Sequence, residues 1–596
     1  MFDKIHKYIK YRIDRVFNKG LLYQLMILVM LIVSILFIVS LFMKIVFNYP
    51  VLEAFWDSLM QFIDTGNISA AEADRGFNGI VITFLAVTFF GVCGWGLLIA
   101  MINNSLQERI RNLSNGNAFI MERNHSIILG YGEEVLTIIN EFMSGRAKNI
   151  VLLCEEDSDT IKKRISFFKN YKKTNIVIRQ GDPSIFENLQ LLNIEKASNI
   201  TIVNDDDVKS LKILLSLKKI LKEKPNSKKI DICILVNKKE SIEIIESIND
   251  SDLFYIHIIY KSEILYKLIG QSITYTGLSS IYQELFDVSG IDIKIERNNN
   301  KNKTFKKLSL DYLKRKEILI GIVSEEIIKD DDIIKTNKTL LIPDYDEEIK
   351  ENTKLVVLYK KDDNLKNIDT SIHMSDKMIY DHKVLLILDK IKENEIIKEI
   401  SEYTEKEKIV KLYYEDIENA EVKKEFIASK IDENKITKIV LISETLETDI
   451  KAINILLIIR RIVKYDKENH DIPILSLLSS IENRNLIDSN DIKDFIVSGR
   501  LIGMLMATSS SNSDLLYVFN DLLTKNGNDI IMIPYEQYFS DIESIFFYKL
   551  YLELLKRNIV TIGIKHKSTI ILNPDYDYQV DKEHELVIII DSNVKK

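Results

Sequence analysis

Two apolar runs without a charged residue lie near the start of the chain, and a more polar segment separates them. The first run covers residues 21–43 and the second covers residues 79–102. About 20 apolar residues at 1.5 Å each cross the hydrocarbon core of a bilayer, so both runs predict transmembrane helices. We place the two helices at residues 21–47 and 79–104.

The intervening segment, residues 48–78, predicts a re-entrant pore loop with a short helix, a filter and an outer loop. Pro50 in the first turn, with Asn48 as the candidate cap, begins a helix whose apolar residues recur at helical spacing up to Phe62. Irregular backbone at membrane depth is tolerated only where protein or a water-filled cavity surrounds it. A loop joining two anchor helices is the alternative. The turn after the short helix reads Asp64, Thr65, Gly66 and Asn67.

Further features favour the pore. Acidic side chains outnumber basic ones in the loop, and the second apolar run contains Gly91, Gly94 and Gly96. Glycines in a pore-lining helix allow bending or close packing, so these three are the candidate gating hinge. One hairpin is too small to enclose a channel, and the pore hypothesis therefore predicts a homotetramer that contacts membrane lipid and permeant cations.

Charge sets the orientation of the chain. Residues 1–20 contain six Lys or Arg residues against two Asp residues, which predicts a cytoplasmic N-terminus. Two crossings return the remainder of the chain to the cytoplasm, as in an integral protein of the plasma membrane, or of the inner membrane in a bacterium. The net charge of −8 argues against nucleic acid as a partner. Neither the three cysteines nor the eight histidines have the spacing of a disulfide framework or a zinc site.

After a polar, helix-like connector at residues 105–124, apolar strands alternate with amphipathic helices, which predicts a parallel, doubly wound α/β sheet. The first strand is followed by Gly130 and Gly132, and Glu155 comes about 20 residues later, as in a dinucleotide fingerprint. Val135 occupies the third glycine position, however. Glu133 and Glu134 at the start of the helix would repel a phosphate. A nucleotide is therefore not the favoured ligand.

An internal repeat predicts that this module occurs twice. Residues 313–323 are echoed by residues 555–565, and residues 341–346 by residues 572–577, at offsets of about 230 to 242 residues. That period is too long for a solenoid and indicates a duplicated domain. The second copy lacks both glycines, so we interpret it as a structural partner. We divide each copy into a Rossmann-like lobe and a small β-rich lobe, at residues 125–288, 289–362, 380–520 and 526–596.

The order of these elements, together with four short motifs, resembles ligand-gated channels with RCK gating rings and, more narrowly, the CASTOR/POLLUX ion channel family. The resemblance implies a cation pore, a cytoplasmic ring that responds to Ca²⁺ and no enzymatic activity. The potassium filter Thr-Val-Gly-Tyr-Gly is absent, but four copies of Asp64 around an axis would select for cations and favour Ca²⁺. The motifs that carry the resemblance are Asp64-Thr-Gly-Asn67, Asn124-His-Ser-Ile-Ile-Leu-Gly130, Asn483-Arg-Asn-Leu486 and Asn526-Gly-Asn528.

Acidic residues that follow predicted strands are the candidate Ca²⁺ ligands. Glu155 follows the second strand, and three successive acids follow the fourth, at the carboxyl edge where ligands of such sheets bind. A further run, residues 330–332, lies in a polar insertion that the second copy lacks. A nucleotide-regulated potassium channel, a membrane-anchored NAD-binding oxidoreductase and a regulatory subunit are the alternative functions. The three successive acids are Asp205, Asp206 and Asp207.

Overall fold

The structure is a computed structural model in which the chain forms two compact units, Met1–Asn117 and Ala118–Lys596. The two units are described separately. The described residues are all except 1–20, 65–78, 115–118, 224–228, 250–251, 276, 287–290, 301–302, 331, 352, 361–367, 370–381, 402–403, 466–471, 486–493, 524–526, 568 and 592–596.

The first unit contains two long helices and a short helix between them. The long helices are sufficiently apolar to span a membrane, as the sequence predicts. Asn48 directly follows the first long helix and has a left-handed φ of 55°, as at a helix C-terminus, so it is not the N-cap that the sequence predicts for the short helix. Pro50 occupies the capping position instead. The three helices are α1 (Leu21–Phe47), α2 (Val51–Ile63) and α3 (Gly79–Ser114).

The short helix α2 buries its small and polar residues and exposes large apolar ones. Ala54, Ser58 and Gln61 are buried, whereas Leu52 is 85% exposed and Trp56 is 57% exposed. In water this orientation would be unfavourable. In a bilayer the surroundings are themselves apolar, and small residues allow helices to approach closely, so the inverted pattern agrees with a location at membrane depth.

The second unit begins with a six-stranded, fully parallel sheet in the order β3-β2-β1-β4-β5-β6, which confirms the predicted doubly wound topology. Helices cover both faces of the sheet and enclose two apolar cores. The strands are β1 (Ser126–Leu129), β2 (Asn149–Cys154), β3 (Asn175–Gln180), β4 (Asn199–Ile202), β5 (Ile230–Val236) and β6 (Phe254–Tyr260). The helices are α4 (Val135–Glu141), α5 (Ser158–Ile165), α6 (Phe186–Gln190), α7 (Asp207–Glu223), α8 (Glu240–Ile248), α9 (Lys261–Thr274) and α10 (Leu278–Phe286).

A β-rich lobe follows, with an antiparallel sheet in the order β10-β9-β12-β7. The polar insertion predicted near residues 330–332 lies at the end of the long β9–β10 hairpin, where the backbone of Asp332 pairs with that of Asp330. The elements of this lobe are β7 (Ile291–Arg297), β8 (Lys303–Thr304), α11 (Phe305–Leu313), β9 (Glu317–Asp330), β10 (Asp332–Leu341), β11 (Glu348–Ile349) and β12 (Lys354–Lys360).

The second copy repeats this plan with one parallel strand fewer among its described residues. Its sheet has the order β15-β14-β16-β17-β18, so the first-copy strand β3 has no described counterpart. The strands are β13 (Ile368–Asp369), β14 (Val384–Leu388), β15 (Ile409–Tyr413), β16 (Lys438–Ile442), β17 (Ile474–Leu478) and β18 (Asp494–Val497). The helices are α12 (Glu393–Ile400), α13 (Tyr414–Asn419), α14 (Lys423–Asn434), α15 (Leu446–Tyr465), α16 (Ile481–Asn485), α17 (Ser498–Ser511) and α18 (Ser513–Leu523).

The second β-rich lobe reproduces local features of the first. Gly321 and Gly563 each lie beside a shift in strand register, and a Cβ on either would lie within 2.8 Å of a neighbouring backbone oxygen. Ile342 and Asn573 both have a left-handed φ, at 59° and 47°. The elements of this lobe are β19 (Asn528–Pro534), α19 (Glu536–Phe539), β20 (Ser544–Phe546), α20 (Phe547–Leu555), β21 (Val560–His566), β22 (Thr569–Leu572), β23 (Gln579–Asp581) and β24 (His584–Asp591).

Candidate functional site

Asp64, the predicted filter acid, lies directly after helix α2. Its backbone is extended and its N–H donates to the carbonyl of Met60 at 2.8 Å, which ends the helix at that point. The side chain of Asp64 is exposed. Asp57, seven residues earlier in α2, accepts a hydrogen bond of 2.6 Å from the hydroxyl of Tyr49. The remaining filter residues, Thr65, Gly66 and Asn67, lie outside the described residues.

The three predicted hinge glycines have different surroundings in helix α3. A Cβ on Gly91 would lie 2.7 Å from the carbonyl oxygen of Phe62, and one on Gly94 would lie 2.9 Å from the ring of Phe62. Gly96 has no described atom within 4 Å of such a Cβ. The helix is continuous through all three positions. Gly91 and Gly94 therefore allow the end of α2 to pack closely, and their role as a hinge stays a prediction.

The glycine turn after β1 is required by packing within the sheet. Gly130 has a left-handed φ of 97°, and a Cβ there would lie 2.1 Å from the carbonyl oxygen of Val203. A Cβ on Gly132 would lie 2.8 Å from Oε2 of Glu134, because that carboxylate folds back over the turn. Glu134 thus occupies the region in front of the helix where a pyrophosphate binds in dinucleotide sites.

Lys261 holds this carboxylate in place. Its Nζ lies 2.7 Å from Oε1 of Glu134, and the Glu134 side chain is only 1% exposed. Burial opposes the charge of Lys261, but the neighbouring acids Glu134, Asp205 and Glu444 outweigh it and raise the pKa of the ammonium group. Partial desolvation and the nearby Glu134 raise the pKa of Asp205, although its side chain remains exposed. We call Glu134, Asp205 and Lys261 the strand-end cluster.

The four predicted Ca²⁺ ligands have separate partners. Glu155 accepts a hydrogen bond of 2.8 Å from Lys209, and Asp206 accepts one of 2.9 Å from the backbone N–H of Val208. Asp205 belongs to the strand-end cluster. Among the described residues, no group of three or more His, Cys, Asp or Glu side chains is arranged to hold a metal ion. The assignment of these acids as Ca²⁺ ligands stays a prediction.

Asp207 connects two loops of the first sheet. Its carboxylate accepts hydrogen bonds from the backbone N–H groups of Asn237 and Lys238 at 3.0 and 2.9 Å, and a third from the Asn237 side chain at 3.1 Å. Because Asn237 and Lys238 directly follow β5, Asp207 links the start of α7 to the end of the neighbouring strand.

In the second copy, Asp449 links the start of α15 to the end of the neighbouring strand β17. No sequence motif indicated this residue. It is fully buried and accepts hydrogen bonds from the backbone N–H groups of Ser479 and Ser480 at 2.9 and 3.0 Å. The hydroxyls of Ser443 and Ser479 and the amide of Asn483 also donate to it. The spacing from Asp207 to Asp449 equals the spacing from Asn237 to Ser479, 242 residues. The repeat offset is the signal that would have found Asp449.

The second copy packs directly against the glycine turn of the first. A Cβ on Gly503 would lie 2.7 Å from the carbonyl oxygen of Glu134, and one on Gly499 would lie 2.8 Å from Cβ of Glu133. At the end of β6, the hydroxyl of Tyr260 donates to Glu395 of the second copy at 2.6 Å. The carboxyl edge of the first sheet is therefore an interface between the two modules.

Comparisons with known proteins agree with this architecture, although no protein-family model matches the chain. The chain is 22% identical to a probable ion channel POLLUX of Oryza sativa subsp. japonica, over 97% of the chain and 66% of the relative. It is 20% identical to the ion channel DMI1 of Medicago truncatula, over 88% of the chain and 66% of the relative. It is 18% identical to the ion channel CASTOR of Lotus japonicus, over 87% and 67%. The chain thus spans slightly less than two thirds of the length of the first two relatives.

Among solved structures, the human SLO3 gating ring aligns with 78% of this chain and 99% of its own, at a TM-score of 0.52 and 15% identity. This likeness shows the fold and confirms the tandem Rossmann-like RCK arrangement. The curated relatives are all named as ion channels, which supports the prediction that the chain is not an enzyme. The chain thus has two helices that are long and apolar enough to span a membrane, and over most of its length it is similar, at 18–22% identity, to the CASTOR and POLLUX ion channels.

Proposed function

We propose that the chain forms a homotetrameric cation channel of the plasma membrane, opened or closed by ligand binding to its cytoplasmic tandem modules. The observation that carries the proposal is the membrane hairpin. Its short helix α2 exposes large apolar residues, lies between two helices apolar enough to span a membrane, and is followed directly by Asp64. A helix of 13 residues is too short to cross a bilayer, so its end lies at membrane depth, where an acidic side chain needs water or cations around it.

The surface of the hairpin supports an oligomer. Leu52 and Trp56 of α2 are largely exposed. An open apolar groove of about 520 Å³ lies between α1 and α2, with Phe37 and Phe55 among its lining residues. Neighbouring subunits and lipid would cover these surfaces in a tetramer, while the four Asp64 side chains gather near the axis.

Ca²⁺ at the carboxyl edge of the first sheet is the ligand we propose. Asp205 and Asp206 follow β4 and Glu155 follows β2, the two strands on either side of β1 in the sheet. Hard oxygen ligands such as these carboxylates suit Ca²⁺. Binding would require these carboxylates to move together, away from Lys209 and Lys261. Moving a two-state gate from about 1:99 to 99:1 takes roughly 5.5 kcal/mol, or about 1.4 kcal/mol for each of four subunits. A tenfold affinity difference per site is sufficient.

A nucleotide is the less favoured ligand because Glu134 covers the glycine turn and is held there by Lys261. An anionic phosphate would have to displace this buried carboxylate, and the two negative charges would repel each other.

Asp64→Asn tests the pore. Removal of four charges from the axis should reduce cation-over-anion selectivity and the block or permeation by divalent ions. Reversal potentials in bilayers with asymmetric KCl and CaCl₂ measure the effect. Asp57→Asn is the matched control on the same helix, since its carboxylate is already engaged by Tyr49. Identical reversal potentials for wild type and Asp64→Asn would contradict the assignment.

The double variant Asp205→Asn and Asp206→Asn tests the ligand site. It should shift the Ca²⁺ dependence of open probability and leave conductance and selectivity unchanged. Asp159→Asn, at an exposed acid on α5 paired with Lys162, is the control. An unchanged Ca²⁺ response in the double variant would place the ligand elsewhere, with the acidic hairpin at residues 330–332 as the next candidate.

A further inference from the structure

Two histidines that are distant from each other in sequence face each other in the second β-rich lobe. His566 is the last residue of β21 and His584 the first of β24, and the antiparallel register pairs them directly. Nδ1 of His566 lies 3.3 Å from Nε2 of His584, and the two rings are nearly perpendicular. The pair lies at the end of the ladder, where His566 is one third exposed and solvent reaches the site.

Each imidazole has a carboxylate at its other nitrogen. Nδ1 of His584 lies 2.6 Å from Oδ1 of Asp581, and Nε2 of His566 lies 3.7 Å from Oε2 of Glu583. The Asp581 carboxylate at 2.6 Å is a closer partner of Nδ1 than the backbone N–H of Asp581 at 3.3 Å. A carboxylate accepts hydrogen bonds, so we assign the proton of His584 to Nδ1, and its Nε2 then carries a lone pair directed toward His566. Carboxylates in this position hold metal-binding imidazoles in the correct tautomer and orientation.

The distance between the facing nitrogens matches a shared metal ion. Metal–nitrogen bonds of about 2.0–2.1 Å at a tetrahedral angle separate two ligand nitrogens by about 3.3–3.4 Å. The terminal ring torsion of histidine is broad, so a small rotation turns both lone pairs toward one point. His566 would shift its proton from Nδ1 to Nε2, the nitrogen nearer the Glu583 carboxylate. Neither histidine is required by the glycine turn, the strand-end cluster or the pore.

We propose that His566 and His584 bind one divalent transition-metal ion of the class that prefers imidazole, such as Zn²⁺, with water completing the coordination. Imidazole nitrogen suits Zn²⁺, Ni²⁺ and Cu²⁺, whereas Ca²⁺ prefers oxygen ligands, so this site is distinct from the proposed Ca²⁺ site. A bound ion would connect β21 to β24 at the open end of their ladder and stabilise the folded lobe, because the unfolded chain does not hold the two side chains together.

The test uses the full chain, purified in detergent without a polyhistidine tag. Equilibrium dialysis against Zn²⁺ should give one bound ion per chain, and Zn²⁺ should raise the melting temperature. His566→Gln and His584→Gln should both abolish this uptake. Asp581→Asn should weaken it by about 10- to 100-fold, since it removes the group that orients His584. His257→Gln is the matched control, because His257 also pairs with an aspartate, Asp231, at 2.7 Å.

Co²⁺ provides a second measurement, since its absorption spectrum reports nitrogen coordination in wild type and should disappear in His566→Gln. His566 is the more exposed of the pair, so its replacement tests the site even if His584→Gln fails to fold. Three results would overturn the proposal. The wild type takes up no Zn²⁺, His566→Gln binds Zn²⁺ as the wild type does, or equimolar Ca²⁺ displaces the bound Zn²⁺.

Discussion

The two copies of the module use the same carboxylate in the same way, but they differ in what surrounds it. Asp207 and Asp449 each connect the start of a helix to the loop after the neighbouring strand. Beside Asp207, the first copy also has the glycine turn and a lysine held among three acids. The second copy has lost both glycines and, among its described residues, one strand of the sheet. The carboxylate link, which both copies have, is therefore what the fold requires. A ligand function is expected at the glycine turn and the lysine, which belong to the first copy.

The comparison changes the interpretation of one predicted ligand. Asp205, Asp206 and Asp207 all follow β4 at the carboxyl edge of the sheet, which predicts all three as ligands. Its counterpart Asp449 has the same backbone partners in a copy without an acidic triplet. Because this contact with the backbone also occurs in the copy that lacks the glycine turn and the acidic triplet, it is a structural contact. Asp207 therefore contributes to the stability of the first sheet, and Asp205 and Asp206 are the better ligand candidates.

The largest expected effect is at Asp449. Asp449→Ala leaves two backbone N–H groups and several side chains buried without an acceptor and should cost about 3–5 kcal/mol of unfolding free energy. Asp207→Ala, with fewer donors and more exposure, should cost about 2–3 kcal/mol. Denaturant unfolding of both variants, with and without Ca²⁺, measures the difference. If the loss at Asp207 appeared only in the presence of Ca²⁺, its role would be that of a ligand and the comparison would fail.

Lys261→Met should have the next largest effect. It leaves the buried Glu134 carboxylate without its partner, which costs about 2–4 kcal/mol at neutral pH. Because the folded pKa of Lys261 is raised, the stability that it contributes is fully present below pH 10.5 and is lost only as the pH rises through the folded pKa. A second change, Glu134→Gln, should restore much of the loss in a double-mutant cycle. Additive effects of the two changes would show that the pair is not coupled.

Gly503→Ala tests the contact between the two copies. The added Cβ would overlap the carbonyl of Glu134 and the side chain of Thr137, so helix α17 must move and about 1–3 kcal/mol is lost. Ser511→Ala, at the exposed end of the same helix, should change stability by no more than about 0.5 kcal/mol. Thermal melting of the two variants measures the contrast. A neutral Gly503→Ala would mean that the modules pack less closely than described.

The smallest effect is expected at Asp205. A raised folded pKa means that the ionised carboxylate destabilises the fold at neutral pH, and that this cost disappears as the pH falls through the folded pKa towards the unfolded value of 3.8. Asp205→Asn should therefore be slightly more stable than wild type at pH 7, by about 0.5 kcal/mol or less because the side chain is exposed. Melting curves at pH 7 and pH 4 should show the advantage shrinking at the lower pH.

Regular patterns made much of the fold predictable. The membrane helices lack charges over whole spans, buried parallel strands are continuous apolar runs, and the repeat reveals the duplication. The orientation of α2 could not be predicted from such patterns. Its apolar stripe resembles the face of a helix that packs on a protein core, whereas in a membrane that stripe can face outwards. The loss of a strand in the second copy was also not predicted, although only 24 residues separate β15 from β16, against 44 between β2 and β4.

The site was predicted less well because its parts are distant in sequence. Five of the six strands of the first sheet lie between Glu134 and Lys261 in sequence, and no motif connects the two residues. The facing histidines are brought together by strand register alone, so their spacing in sequence contains no metal-site signal. Consecutive acids drew attention because they are adjacent, yet Asp205, Asp206 and Asp207 have three different sets of partners.

The short strand β13 has a practical consequence for anyone who divides the chain. It lies between the two modules in sequence, but it pairs with the edge of the second β-rich lobe, where Ile368 is opposite Ile570. A fragment that begins at residue 380 would leave that edge strand uncovered, with its backbone groups available to strands from other molecules. Fragments intended for crystallisation or binding studies should therefore begin before residue 368, or they will tend to associate edge to edge.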